Sequence, residues 1–173
     1  LNFKGKKEIL PYVDQMFNLL DSTYNTLQTY VPIQDYQIKH YKEKYIRYVS
    51  PDLIKCVVNK ENDLIGFVII MPSFAKALRK INGKLFPFGF LHILKASFFY
   101  NKASFYLIGI RPEFQNKGIT AILFNEIQKT FNKRKISTVE TNPELEENIA
   151  IQNNWKNYKN RVHKRRATFS KKI

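Results

Sequence analysis

A polar loop that contains a glycine follows an apolar run, and this part of the sequence is best suited to chemistry. The run begins at Tyr106 and ends at Arg111 and Pro112, and Gly118 precedes apolar residues at helical spacing. The first turn of a helix has amides without an intrahelical partner, and the helix dipole adds roughly half a positive charge there. Glycine lets an anion approach the backbone closely, and Lys117 adds a full charge. The pattern therefore predicts an anion site at a strand-to-helix turn.

The same stretch resembles motif A of the GNAT acyltransferase superfamily, whose loop reads Gln/Arg-x-x-Gly-x-Gly/Ala. The matching positions here are Gln115, Asn116, Lys117, Gly118, Ile119 and Thr120. Thr120 departs from the pattern, because a second small residue is usual there. The resemblance implies that this loop binds the pyrophosphate of acetyl-CoA or another acyl-CoA, which is the acyl donor. An ordinary strand-to-helix turn is the alternative.

The resemblance also implies where the rest of CoA lies. Pantetheine would follow the edge of the strand before the loop, in the V between that strand and a parallel strand at 136–141. Gly109 would permit a bulge or a close approach of the ligand. A second family motif, Asn-x-x-Ala-x-x-x-Tyr, is matched at Asn148 but has Trp155 in place of the tyrosine. The cofactor-binding residues implied outside the loop are Leu107, Ile108, Gly109, Ile110, Asn148 and Trp155.

The usual catalytic groups of the family are missing from their positions. The tyrosine that protonates the thiolate of CoA in many members is Trp155 here, and an indole N–H is not a useful acid. Tyr158, one helical turn later, is a weak candidate acid. The carboxylate that is frequent early in the motif A strand is replaced by Ser104. Glu140 is the candidate base, directly or through a water, and the alternative is that it pairs with a surface cation.

Composition limits the class of protein. The 173 residues predict a single domain, and the net charge of +15 favours a polyanionic ligand such as CoA or nucleic acid, or else a solvated basic surface. A lone cysteine, Cys56, lies in an apolar run, which indicates a buried residue and a cytoplasmic location. The chain begins at Leu1 rather than Met, which suggests a piece of a longer chain. We expect no transmembrane segment, and no cluster of residues has metal-ligand spacing.

The resemblance implies the α/β (α+β) GNAT acyl-CoA N-acyltransferase fold, with a mixed central sheet flanked by helices. A first strand is expected to be very short or absent. The predicted helices cover 9–29, 35–48, 73–81, 91–100, a segment from 118 onward, and 143–155. The predicted strands cover 53–58, 64–71, 106–110, 136–141 and one or two strands within 161–171.

Residues 72–103 form a predicted helical insertion between the third and fourth strands that standard members of the family lack. The insertion is rich in phenylalanine and leucine, and Pro87 restricts its backbone. We expect Phe86 and Phe88 to roof the acceptor side of the cleft, which would favour a bulky or acylated acceptor. The alternatives are packing on the two N-terminal helices, on the missing N-terminal part of the chain, or on a partner.

Two classes of function follow. The first is a CoA-dependent N-acyltransferase that acts on a small-molecule or peptide amine. The second is a GNAT-fold module, weakly active or inactive, that binds CoA or a partner domain. The resemblance extends to a group of uncharacterised bacterial proteins, in which this segment looks like the C-terminal domain. Specific nucleic-acid binding is not expected, because the basic tail contains no recognisable reading element.

Overall fold

A computed structural model describes residues 1–25, 30–44, 49–169 and 171 of the chain. The chain divides into two compact units, Leu1–Glu140 and Thr141–Ile173. The predicted ends of the first two helices, within 26–29 and 45–48, lie outside the described residues.

The first unit alternates helices and strands in the predicted order. Its elements are α1 (Leu10–Tyr24), α2 (Asp35–Lys44), β1 (Ile54–Val58), β2 (Leu64–Pro72), α3 (Ala75–Lys80), α4 (Gly89–Phe98), β3 (Lys102–Ile110), α5 (Ile119–Arg134) and β4 (Thr138–Thr141). Helix α1 carries a proline in its first turn, as expected, and Lys133 and Arg134 occupy the last turn of α5, where cations suit the helix dipole. Ser73, predicted to cap α3, does not do so, because the helix begins after Phe74 without a side-chain cap.

The strands form one mixed sheet in the order β1-β2-β3-β4. Strand β2 pairs antiparallel with β1 and with β3. The amide of Ser137 donates to the carbonyl of Asn101 at 2.9 Å, so β4 starts beside the start of β3. A first strand is reduced to a single bridge between Asn2 and Lys55, which is why the insertion follows only the second named strand.

Helices cover both faces of the sheet. Successive residues of a strand point to opposite faces. A methyl group added at Gly66 would lie 2.9 Å from Ile119 of α5, whereas one at Gly109 would lie 3.5 Å from Leu19 of α1. The α1 face contains the main apolar core, in which Phe67 is fully buried. On the α5 face, the Phe105 and Phe124 rings meet edge to face at 5.4 Å.

Arg134, at the end of α5, joins three parts of the first unit. Its Nε and Nη2 atoms donate to the two carboxylate oxygens of Asp52 at 2.5 and 2.7 Å. It also donates to the hydroxyls of Ser50 and Tyr100, each at 2.9 Å. Burial alone would raise the pKa of Asp52, but the hydrogen bonds from Arg134 and Ser50 hold that pKa below its usual range. The network fixes the end of α5 against the residues just before β1 and against Tyr100, which lies between α4 and β3.

The insertion is a helical hairpin made of α3 and α4, as the sequence predicts. It leaves the sheet at Pro72 and returns at Ala103, which are partners in the β2–β3 ladder. The hairpin therefore starts and ends at the end of β3 opposite to the loop before α5.

The second unit has little regular structure. Its helix, α6 (Ile149–Asn153), is shorter than predicted, and Asn148 caps it by accepting a hydrogen bond from the amide of Ile151 at 3.3 Å. The prediction of final strands within 161–171 is wrong for the described residues, since 161–169 and 171 have no strand. Arg161, Lys164, Arg165 and Arg166 make this segment too cationic to bury as part of a sheet.

Candidate active site

The loop between β3 and α5 has the backbone that the sequence predicts for an anion site. Gly118 has a left-handed backbone (φ 82°) immediately before α5, and Asn116 is also left-handed (φ 58°). A methyl group at Gly118 would meet no atom within 4 Å, so open space lies beside the loop. No side chain caps the helix at Gly118, and Ile122 is the first residue of α5 whose amide bonds back to it. The amides of Ile119, Thr120 and Ala121 therefore precede the helical hydrogen-bond ladder.

Neighbouring residues hold this loop in place. Ile119 is buried and packs over Gly66, where a Cβ atom would lie only 2.9 Å from its Cγ2. The side-chain amide of Gln115 donates to the carbonyl of Ile110 at 3.3 Å, which closes the loop onto the end of β3. The Lys117 ammonium lies 5.6 Å from the centroid of the Phe114 ring, a cation–π distance. Lys117 is thereby placed next to the start of α5.

Strand β3 contains a bulge, at Tyr106 rather than at Gly109. Ile69 pairs with Leu107 and Ile70 with Phe105, so Tyr106 is the extra residue. Gly109 serves a different purpose from the predicted one, because a methyl group there would lie 2.9 Å from the Phe67 ring. The close approach that requires this glycine is therefore an internal aromatic contact.

The edge of β3 that is predicted to hold pantetheine has a neighbour that the sequence did not reveal. The hydroxyl of Tyr24, at the end of α1, donates to the carbonyl of Ile108 at 2.9 Å. Burial raises the pKa of Tyr24, which keeps it a donor at neutral pH. In the sequence Tyr24 is one more aromatic residue of an apolar helix, and nothing in its spacing indicates a contact with Ile108.

The candidate catalytic residues belong to different units. Glu140 is half-buried in β4, whereas Tyr158 and Trp155 lie in the second unit. The Trp155 indole donates to Glu144 at 2.9 Å, and its ring lies 6.4 Å from that of Tyr158. These contacts give Trp155 a structural role within the second unit, as capping gives one to Asn148. The roles of Glu140 and Tyr158 in catalysis, and of Asn148 and Trp155 in binding CoA, stay predictions.

A cavity of about 250 Å³ lies between the sheet and the first two helices. Its walls are almost entirely apolar. They come mainly from α1, α2, the segment between these helices, and strands β1, β2 and β3. Tyr106 and Leu107 of β3 contribute directly, so the cavity adjoins the bulge. None of its described lining residues belongs to the insertion, and Phe86 and Phe88 lie at the surface.

Buried groups elsewhere in the first unit are structural. Cys56 is buried in the core as predicted, and burial raises the pKa of its thiol to about 12. Such a thiol is not a nucleophile at neutral pH. Among the described residues, no three His, Cys, Asp or Glu side chains are grouped so as to hold a metal ion. No helix in the same part of the chain is long and apolar enough to cross a membrane.

Comparisons with solved structures show the architecture, and comparisons of sequence find one curated relative. No protein-family model matches the sequence. Protein YghO of Escherichia coli K12 is 26% identical over an alignment of 151 residues, which covers 83% of this chain but 38% of YghO. The ribosomal-protein-alanine N-acetyltransferase of Brucella melitensis superposes with a TM-score of 0.56 at 13% identity, covering 93% of this chain and 94% of that one. The chain has the GNAT fold.

A second solved structure extends the match. The aminoglycoside N-acetyltransferase AAC(6')-Iy, bound to a CoA-containing bisubstrate analogue, superposes with a TM-score of 0.54 at 12% identity, covering 94% of this chain and 93% of that one. At identities this low, the superpositions establish the GNAT fold but not the reaction. The chain spans well under half the length of YghO, so the properties of the whole protein are a matter for proposal.

Proposed function

We propose that this chain is a CoA-dependent N-acyltransferase that moves an acyl group from acyl-CoA to an amine. The observation that carries this proposal is the left-handed Gly118 at the start of α5, with open space beside it, in a GNAT fold. The pyrophosphate of CoA would accept hydrogen bonds from the first amides of α5, and Lys117 would add charge attraction.

The proposed reaction forms a C–N bond and breaks a C–S bond. The amine nitrogen attacks the thioester carbonyl carbon, loses one proton, and the sulfur of CoA gains one. Glu140 is the proposed acceptor of the amine proton, directly or through a water. The low pKa of a thiol relative to water allows the thiolate of CoA to leave without a protein acid, and Tyr158 stays a donor predicted from the sequence alone.

The apolar cavity indicates the class of group that the site would accept. Ligand sites are typically apolar clefts with a few polar groups, and this one adjoins the strand proposed to carry pantetheine. AAC(6')-Iy acts on aminoglycosides, which carry several positive charges. An apolar wall on a chain of net charge +15 is poorly suited to such an acceptor. We propose that an alkyl or aromatic group of one of the two substrates occupies the cavity.

Calorimetry with CoA and acetyl-CoA tests the cofactor. Thr120→Glu adds a negative charge to the first turn of α5, where the helix dipole tolerates it. We expect this variant to fold normally and to lose CoA binding. Gly5→Glu adds the same charge at a glycine with open space around it, and it should bind like the wild type. If the wild type does not bind CoA at millimolar concentration, the cofactor proposal fails.

Release of free CoA thiol from acyl-CoA, in the presence of a panel of amines, tests the reaction. Amine-dependent release that falls in Glu140→Gln supports an N-acyltransferase with Glu140 as base. Tight CoA binding without release by any amine supports the second candidate, a GNAT-fold module that binds CoA without turnover. The second candidate is favoured because Ser104 and Trp155 stand where many members of the family have a carboxylate and a tyrosine.

A binding series distinguishes which substrate fills the cavity. If the acyl chain enters it, octanoyl-CoA binds more tightly than acetyl-CoA. If the acceptor enters it, octylamine binds in the presence of CoA and the two acyl-CoAs bind alike. Ile33→Phe narrows the cavity and should remove the preference while leaving CoA affinity unchanged. The absence of any preference would contradict a ligand role for the cavity.

A further inference from the structure

The insertion presents large apolar side chains to water. Phe86 is 86% exposed, Phe88 is 71%, Phe98 is 69% and Phe99 is 79%. Further exposed apolar residues of α3, α4 and their connection are Leu78, Leu85, Phe90, Leu91 and Leu94. So many large exposed apolar side chains within one short insertion indicate an interaction site rather than ordinary surface composition.

The same segment is cationic and contains no carboxylate. Between Asp63 and Glu113 the sequence has no aspartate or glutamate. The exposed cations of the insertion are Lys76, Arg79, Lys80, Lys84, Lys95 and Lys102. Lys84 directly precedes Leu85 and Phe86 in the connection between the two helices, so a positive charge adjoins the exposed aromatic rings there.

This combination fits one kind of partner best. The buried centres of protein–protein interfaces are depleted in lysine, because its charge is costly to desolvate. An anionic bilayer surface accepts both components, since lysine and arginine remain among the phosphates while phenylalanine and leucine enter the acyl boundary. The hairpin leaves the sheet at Pro72 and returns at Ala103, and its phenylalanine and leucine side chains listed above stay exposed, so they are available to a bilayer surface.

We propose that the helical hairpin α3–α4 is a peripheral docking element for anionic membranes, with Phe86 and Phe88 entering the lipid and Lys80 and Lys84 contacting its phosphates. This role does not depend on the proposed acyltransferase activity. The hairpin lies at the end of β3 opposite to the loop before α5, so docking on a membrane would leave that loop accessible.

Co-sedimentation of the 173-residue protein with vesicles tests the proposal. One set of vesicles contains phosphatidylcholine alone, and the other contains phosphatidylcholine and phosphatidylglycerol in a ratio of three to one. We expect binding to the mixed vesicles, little binding to phosphatidylcholine alone, and a decrease as salt is raised. Equal binding to both sets, or binding to neither, would overturn the proposal.

Variants separate the hairpin from the general basicity of the chain. Phe86→Ser with Phe88→Ser should lower the affinity for mixed vesicles by at least about tenfold, since the two aromatic rings that enter the lipid are lost. Lys80→Glu with Lys84→Glu should also lower it. Phe169→Ser is the matched control, because Phe169 is 90% exposed beside the basic tail, and it should bind like the wild type.

Two further results would count against a membrane role. A loss of binding in Phe169→Ser equal to that in the hairpin variant would assign the binding to the tail. Self-association of the wild type in analytical ultracentrifugation, abolished by the two serine substitutions, would assign the hairpin to a contact between copies of the chain. Unchanged thermal melting of the hairpin variants is expected, because the substituted side chains are exposed.

Discussion

Two apolar surfaces of the first unit differ in what covers them. The α1 face of the sheet is enclosed by helices and keeps an apolar cavity beside β3. The hairpin insertion carries comparable side chains, but they face water among several lysines and one arginine. Enclosed apolar surface stabilises the fold and can hold a small ligand. Open apolar surface contributes little to stability and is available to something larger.

The largest expected effect is on the enclosed surface. Phe67 is fully buried, lines the cavity and contacts Gly109. Phe67→Ala should lower the free energy of unfolding by about 3–5 kcal/mol, the range for a buried phenylalanine. Chemical denaturation measures it. A loss below about 1 kcal/mol would mean that the α1 face is as loosely covered as the hairpin.

The attachment of the hairpin to the rest of the unit gives an intermediate effect. Arg134 donates to Tyr100, which follows α4, and to Asp52. Arg134→Met should lower the free energy of unfolding by about 1–2 kcal/mol, because charge-assisted hydrogen bonds are lost but the Asp52 side chain is 37% exposed to screening solvent. Lys129→Met, at an exposed position of the same helix, is the control and should change stability far less.

The Arg134–Asp52 ion pair makes the free energy of unfolding depend on pH in the acidic range. The pKa of Asp52 is lower in the folded state than in the unfolded chain, so its contribution is present above the unfolded value of about 3.9 and is lost as pH falls through the folded value. Urea denaturation should show a decrease in stability below about pH 4 that is smaller in Arg134→Met. Identical acid profiles for the two proteins would show that Arg134 does not lower this pKa.

The smallest expected effect is on the open surface. Phe88→Ala should change the free energy of unfolding by no more than about 0.5 kcal/mol, because the ring is already in water. Its effect should appear instead in vesicle binding. A cost of about 3–5 kcal/mol would make Phe88 a core residue and remove the contrast between the two surfaces.

The order of the elements and the loop before α5 could be predicted from the sequence, because both depend on local rules. Alternation and helical spacing located the strands and helices, and a glycine before an apolar helical run indicated the left-handed turn at Gly118. The tail shows where the resemblance to a fold family led to a wrong prediction. The fold family led to a prediction of final strands, but the charge of the segment opposes burial and no strand forms in 161–169 or 171.

Only the tertiary structure decided the contacts between residues that are distant in the chain. The bulge at Tyr106 depends on the register of β3 against β2, and no single strand encodes it. Tyr24 reaches Ile108 across 84 positions, and the cavity collects side chains from helices and strands throughout the first unit. The sequence by itself determined that residues 72–103 are apolar and basic. Only packing decided that they stay exposed, because their hairpin contacts the sheet mainly through its two ends.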